Sequence, residues 1–408
     1  MTKSDVLSSC VALPHQDFFA RFFGTAPLHT TAEELGQHAE VPMTAQEVEE
    51  ALASSGLRTR SLRVVRNDAY LPEENYGRPA PGDTPGSPPY VDPDKVRQAV
   101  RGGYSLILRS VHRYSPRAGS FARRLAGRLG HPVTMNVFVT PPDSQAVNTH
   151  FDYDDVFIFQ MSGEKLWKIW DPPILSPLPS QAWTKFQDQQ RTEILESLGA
   201  PYELTLHKGD VLYIPRGFLH GAEAVDHTSV HLTAAMAPIT RIDVLRQLLD
   251  VMAAEDEWLR EAVPVAGLTG SDAREIFAEL ARRTSFDAPA AEARWKLRQL
   301  AWADLPPRPL TVLPGDEHVP TARPGEVRYR LREGLIFDLL PQGNDVCLRT
   351  PETEIGIPGG FAPMLDRVLG GADFTTAGLV ATGSETKTED AEALVQALEE
   401  CGVLVTVR

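Results

Sequence analysis

Cysteine is nearly absent from this protein of 408 residues: Cys10, Cys347 and Cys401 stand far apart, forming neither a disulfide framework nor a CxxC zinc knuckle. Any metal ion must therefore be held by histidine and carboxylate. Basic charge is the second shortage. Against 55 Asp and Glu there are 40 Lys and Arg, a formal net charge of −15, and a surface poor in cations releases few counterions from a phosphate backbone. Nucleic acid is thus disfavoured as the main partner, and a basic protein or peptide suits the charge better. Long apolar runs are missing as well. MTKSDVLSSCVALPHQDFF has only the patch CVAL, and no later run approaches a membrane span. The expectation is a cytoplasmic protein without membrane contact.

What is present is an ordinary globular composition, 42% hydrophobic and 23% charged, whose length suggests two or three domains. QDFFARFF at 16–23 reads as a short aromatic helix, and a second helix pattern at 44–55 opens on Thr44 as N-cap. The stretch 72–93 is crowded with proline and glycine and reads as an irregular loop. From about 104 onward YSLILR, VTMNVFVT, DVFIFQM, KLWKIW, YELTL, DVLYIP and SVHLTAAM are short β-rich runs between turn residues, which predicts an antiparallel sandwich or barrel. Helix patterns at 115–129 and 187–198 interrupt them. Past Pro238 apolar residues recur at three and four spacing, so the sequence turns helical. After a Pro-rich break at 305–324, helix patterns at 361–369, 375–380 and 388–401 lie between short strands and suggest a winged-helix-like module. Residues 325–408 carry many acids, among them Glu389, Asp390 and Glu392, which points that module toward scaffolding or substrate docking.

Candidate chemistry begins at NTHFDYDDVF, 148–157. A His-x-acid pair is cheap: 11 histidines and 55 acids give roughly 1.5 such matches by chance. The sequence has them at His15/Asp17, His38/Glu40 and His150/Asp152. Residues i and i+2 share a face on a strand but not on a helix, so only His150 and Asp152, in a β-rich segment, are expected to converge on one ion. His220, after the turn at Pro215 and Gly217 in GDVLYIPRGFLH, supplies a second imidazole. Two imidazoles and a carboxylate match the facial triad of non-haem Fe(II) oxygenases, and equally a catalytic zinc site. Lys165 favours the first. It starts the strand KLWKIW just past Ser162-Gly163-Glu164, expected to fold back beside DVFIFQM, and a buried lysine there calls for an anion such as the far carboxylate of a dicarboxylate.

The runs MNVFVTPPDSQAVNTHFDYDDVFIFQMSGEKLWKIW and GDVLYIPRGFLH resemble the JmjC-type ribosomal oxygenases, cupin-like 2-oxoglutarate oxygenases. So do FFARFFGTAPLHT and VDPDKVRQAVRGGYSLILRSVHRYSP upstream. The resemblance implies a double-stranded β-helix, the jelly roll of cupin and JmjC proteins, over 1–238, a helical dimerisation domain over 239–320 and a winged-helix-like domain over 321–408. It also implies Fe(II) on His150, Asp152 and His220, with 2-oxoglutarate and O2 as co-substrates. Lys165 would hold the C5 carboxylate of 2-oxoglutarate, and Asn136 would contact the co-substrate near the metal. The implied activity is hydroxylation of an arginine or histidine side chain in a ribosomal protein by a homodimer. Tyr153 and Asp154 are candidate substrate contacts, Asp154 suiting a cationic side chain. Ala235, in HLTAA, departs from the pattern, since a hydroxyl residue is expected there to help hold the co-substrate.

Competing readings stand beside this one. The same chemistry could act on a natural-product precursor peptide, a free amino acid, an RNA base or a methylated lysine; the protein could be a non-catalytic cupin and winged-helix binding module; or it could be a zinc hydrolase. His227 reads as an exposed turn residue, His231 as a residue lining pocket or core, and the cluster Phe18, Phe19, Phe22 and Phe23 as plain packing.

Overall fold

The computed structural model describes residues 5–53, 56–79, 82–84, 86–263, 269–283, 287–310, 327–380 and 387–407. The protein forms two compact units, 1–238 and 239–408.

The strands of unit 1 are β1 (Leu28–Thr30), β2 (Leu62–Arg66), β3 (Ala69–Tyr70), β4 (Gly77–Arg78), β5 (Tyr90–Val91), β6 (Ser105–Leu108) and β7 (Val133–Thr140). They continue with β8 (Asp155–Ser162), β9 (Lys165–Trp170), β10 (Tyr202–Leu206), β11 (Val211–Ile214), β12 (Leu219–Ala224) and β13 (Ser229–Met236). An eight-stranded sheet runs β1-β11-β8-β13-β7-β6-β2-β3 and a three-stranded sheet β10-β9-β12, with antiparallel pairing throughout. The antiparallel sandwich expected from the β runs is therefore observed. The Pro-rich loop at 72–93 is less irregular than expected, because β4 and β5 pair within it.

One correction concerns β9. It pairs with β10 and β12 in the smaller sheet, and β8 pairs with β11 and β13 in the larger, so KLWKIW does not lie beside DVFIFQM. The turn at 162–164 carries the backbone from one sheet to the other. Gly163 makes that possible: its φ is +65°, and a Cβ there would sit 2.3 Å from the Thr228 carbonyl oxygen. Gln160 secures the turn, its Nε2 donating to the Ser162 and Gly163 carbonyls and to Ser229 Oγ.

Strand alternation then sorts the side chains. Val156 and Ile158 of β8, Trp167 and Ile169 of β9, Leu204 and Leu206 of β10, and Leu212 and Ile214 of β11 meet between the sheets, with Ala235 packed against them. The opposite face of β8 is covered by helices, which is why DVFIFQM is apolar without interruption. Phe157 and Tyr213 meet Phe18 of α1 (His15–Arg21), and Phe159 meets Phe121 of α5 (Pro116–Leu129) edge-on at 5.4 Å, a geometry worth about 1 kcal/mol beyond burial. Between those helices come α2 (Ala32–Leu35), α3 (Ala45–Ala53) and α4 (Pro93–Arg101), and α3 opens on a capping box in which Thr44 and Glu47 bond each other's backbone amides. Helix α5 starts from a Ser115 cap with Pro116 in its first turn and ends at Gly130 with φ +74°. The insertion between β9 and β10 carries α6 (Asp188–Glu196).

Unit 2 opens with α7 (Arg241–Glu255), α8 (Gly270–Arg283) and α9 (Asp287–Trp302), of which α7 packs on α9. Of the Pro-rich break at 305–324, residues 311–324 lie outside the described residues. Then follow β14 (Arg328–Leu331), β15 (Asp338–Gln342), β16 (Asp345–Arg349), β17 (Glu354–Ile357), α10 (Ala362–Leu369), β18 (Phe374–Thr375), α11 (Thr376–Leu379), α12 (Thr388–Glu400) and β19 (Leu404–Val407). Sheets β18-β14-β19 and β15-β16-β17 enclose a core with α10 and α12, built on Leu348, Leu365, Val368, Leu394, Leu398 and Leu404. Arg294 Nη2 on α9 donates to both carboxylate oxygens of Asp338, at 2.8 and 2.9 Å.

Gly163→Ala should destabilise unit 1 by more than about 2 kcal/mol, since it adds left-handed strain to a backbone clash. Chemical denaturation would detect the loss, and an unchanged midpoint would contradict the sheet-crossing turn.

Candidate active site

A cavity of about 90 Å³ opens between the sheets, lined among others by His150, Asp152, His220, Lys165, His231 and Trp167. At its mouth His150 Nε2 lies 3.8 Å from Asp152 Oδ1, and His220 Nε2 lies 3.7 Å from Asp152 Oδ2. One ligand atom from each of the three falls within 4.8 Å of the others, the arrangement needed to share one ion. Both rings are oriented alike. His150 Nδ1 bonds the Asn148 carbonyl at 2.8 Å and His220 Nδ1 the Phe218 carbonyl at 3.0 Å. A carbonyl only accepts, so each Nδ1 carries the proton and each Nε2 keeps its lone pair for a metal. Burial pushes His220 down to about 4, and nearby His150 adds to the shift, so this ring is neutral and ready to coordinate.

His150 and Asp152 converge for a different reason than expected. They are not on a regular strand: the loop between β7 and β8 touches β12 at one bridge, where His150 and His220 exchange backbone hydrogen bonds of 3.1 and 2.8 Å. The Gly217 amide donates to the Asp152 carbonyl at 2.9 Å, and Gly217 is required there because its φ is +88° and a Cβ would lie 2.3 Å from the Ile174 carbonyl oxygen. Between the two ligands Phe151 turns away and packs edge-on against Trp183 and Phe186 of the β9–β10 insertion, at 5.4 and 5.9 Å. The other His-x-acid pairs are spent elsewhere: His15 faces Asp5, and Glu40 pairs with Arg124.

At the deep end Lys165 is 2% exposed. Its Nζ donates to Thr140 Oγ1 at 3.1 Å and approaches His231 Nδ1 at 3.5 Å. No carboxylate pairs with it among the described residues. Burial pushes its ammonium down to about 7, and His231 is driven well below its usual range by burial and by the Lys165 charge. A lysine buried in this way is costly without an anion beside it.

The remaining candidates divide. Asn136 shares the cavity-facing side of β7 with Phe138, but its Oδ1 accepts the Ser110 amide at 2.9 Å and it is not among the lining residues. Tyr153 is 40% exposed beside the mouth, its hydroxyl pushed up first by Asp154 and then by burial. Asp154 is pushed up to about 7 by burial, with Asp152 and Asp155 adding, and its Oδ1 is buried without a partner. Asp155 accepts the Tyr213 hydroxyl at 2.6 Å and the Arg216 amide at 3.0 Å. Ala235 belongs to the apolar core, and hydroxyls reach this region from Thr140 and Thr233 instead. His231 lines the cavity as expected. Sequence reasoning passes over Thr140, Trp167 and Phe138, although the period-2 face shared with Asn136 and Lys165 is the signal that marks them.

The unfolded protein holds a lysine proton up to about 10.5 while the folded protein releases it near 7. The unfolded state therefore binds more protons across that window, and stability should climb as pH rises through it. Lys165→Met should be more stable than the parent by a few kcal/mol at pH 7, the gap closing toward pH 10.5. Denaturation midpoints across pH would show this, and a gap independent of pH would contradict a desolvated ammonium.

Residues 113–243 match the JmjC domain family. The sequence is 32% identical over 206 residues to ribosomal oxygenase 1 of Gallus gallus, covering 48% of this protein and 32% of that one. It is 36% identical over 135 residues to ribosomal oxygenase 1 of Rattus norvegicus, covering 33% of this protein and 22% of the relative. The match thus spans about a third or less of those relatives' length. Among solved structures, the ribosomal oxygenase YcfD of Escherichia coli, in complex with cobalt and 2-oxoglutarate, superposes with a TM-score of 0.55 at 16% identity over 97% of this protein and 99% of that one. That likeness speaks for the fold.

Proposed function

We propose that this protein, in which residues 113–243 match the JmjC domain family, is an Fe(II)- and 2-oxoglutarate-dependent oxygenase. Its substrate is a C–H bond in a side group of a protein or peptide, foremost an arginine or histidine of a ribosomal protein, which it hydroxylates. One observation carries the reading: a two-histidine, one-carboxylate cluster shares its cavity with a buried lysine that, among the described residues, no carboxylate neutralises. His150, Asp152 and His220 hold the iron through Nε2, a carboxylate oxygen and Nε2. Lys165 takes the far carboxylate of 2-oxoglutarate, and Asn136, with Oδ1 committed to Ser110, contributes through its amide nitrogen. Iron with 2-oxoglutarate supplies the activation of dioxygen when bound. The protein's own part is orientation and dryness, with Phe138, Val147, Val156 and Ile158 lining the cavity against water. Tyr153 and the unpaired Asp154 at the mouth receive the substrate, the acid suiting a cationic side chain.

For the rest of the protein we assign 1–238 to catalysis, 239–320 to dimerisation and 321–408 to a winged-helix-like docking domain. Ile242, Leu245 and Leu249 support the dimer, forming an exposed apolar stripe along α7 with Val244 beside it. Among the described residues, no helix is long and apolar enough to cross a membrane.

Purified protein with Fe(II), ascorbate and 2-oxoglutarate should form succinate, and His150→Ala or Asp152→Ala should cut this by at least about 100-fold. Tightly held zinc with no succinate would overturn the reading. Ribosomal proteins from cells with and without the gene, compared by mass spectrometry, should differ by one oxygen on an arginine or histidine; no such difference would remove the ribosomal substrate while leaving the oxygenase. Replacing Leu245 and Leu249 together by Asp should turn a dimer into a monomer in sedimentation.

A further inference from the structure

His150 and His220 are not held in the same way. Phe218, whose carbonyl accepts from His220 Nδ1, leads directly into β12, and β12 is paired with β9 along its whole length. Asn148, whose carbonyl accepts from His150 Nδ1, lies on the loop between β7 and β8 and belongs to no strand. The tip of the β2–β3 hairpin fixes that loop instead. Val65 pairs with Tyr70 and Arg66 with Ala69, so the turn consists of Asn67 and Asp68, with φ of +50° and +62°. Two positive φ values in a two-residue hairpin mark a type I′ turn. Its amides face the loop: Asn67 donates to the Gln145 carbonyl at 3.1 Å and Asp68 to the Ala146 carbonyl at 3.2 Å. The Asp68 carboxylate completes the grip, its Oδ1 accepting the Asn148 amide at 3.3 Å. The start of the loop is bonded to β12, where the Asp143 amide donates to the Ala224 carbonyl and the Ala224 amide to the Ser144 carbonyl, each at 3.2 Å.

We propose that Asp68 is a positioning residue for His150: by holding Asn148 through its amide, it aims the Asn148 carbonyl at His150 Nδ1 and so turns Nε2 toward the metal. The inference goes beyond the ligand set and rests on the reading of His150, Asp152 and His220 as a metal site. The same grip sets part of the cavity wall, since Ala146 and Val147 line it. What the position requires is an acceptor at that reach. An amide oxygen could serve, and a residue without a side chain could not.

The test titrates the whole protein with Co(II), followed by visible absorption and by the proton NMR signals that the paramagnetic ion displaces. Asp68→Gly removes the acceptor but makes the hairpin tip Asn-Gly, the sequence this turn favours, so the unfolding midpoint of the metal-free protein should not fall. Co(II) affinity should nevertheless drop roughly tenfold, the low end of the loss expected for a group behind a metal ligand. Asp68→Asn, which keeps an oxygen acceptor, should bind Co(II) as the parent does. Of the two displaced imidazole N–H signals, the one from His150 should broaden in Asp68→Gly through faster exchange with water, while the one from His220 stays sharp. Parent-like affinity in Asp68→Gly, equal weakening in Asp68→Asn, or broadening of both signals together overturns the role of Asp68 alone. A parent that takes up no Co(II), or takes it up equally well after His150→Ala, overturns the metal-site reading, and the inference with it.

Discussion

An ammonium buried between two β-sheets, with no carboxylate to neutralise it among the described residues, governs how unit 1 is built. Such a charge costs folding free energy unless it is paired or hydrogen-bonded, and the surroundings of Lys165 are built to hold it while leaving it unsatisfied. Gly163 lets the backbone cross between sheets so that β9 begins inside the sandwich. Gln160 ties the crossing to Ser229, and Thr140 and His231 meet the nitrogen. Replacing the lysine by an apolar residue would suit the fold better. Its retention in the interior breaks a local rule of packing, as functional sites do.

The other end of the cavity is organised on the opposite plan. The metal-binding candidates sit where the sheet structure frays, His150 and Asp152 on a loop that touches β12 at one bridge. Precision comes from beneath: both imidazoles are pinned through Nδ1 to backbone carbonyls two residues earlier, and Phe151 anchors the loop in an aromatic pocket with Trp183 and Phe186. A loop on a rigid scaffold can leave coordination positions open to ligands, whereas side chains inside a continuous ladder would be closed in by their neighbours.

Local patterns reveal the elements and the reactive residue types, because they depend on neighbours in sequence. The β runs, the Thr44 and Ser115 caps and the helix patterns past 238 all belong to that class. Partner choice does not, since alternation gives a strand two faces but no sheet. Hence the sequence suggests β9 beside β8, and His150 and Asp152 on a strand, where the fold has neither. Asp155 shows the same limit: its partner Tyr213 lies 58 residues away, and its role as a buried acceptor depends on that contact. Thr140 is an ordinary strand residue until Lys165, 25 positions later, is folded onto it.

The acids after His150 show how folding separates residues that sequence groups together. Asp152, Asp154 and Asp155 repel one another, and the fold relieves this by giving each a different fate. Asp155 is sealed in and receives two donors; Asp152 stays 43% exposed in its side chain and faces both imidazoles; Asp154 is driven toward its neutral form by burial and by the other two. Of the three, Asp152 alone lines the cavity. A cation held between the imidazoles would meet Asp152, while Asp154, its Oδ1 buried, stands outside the cavity lining.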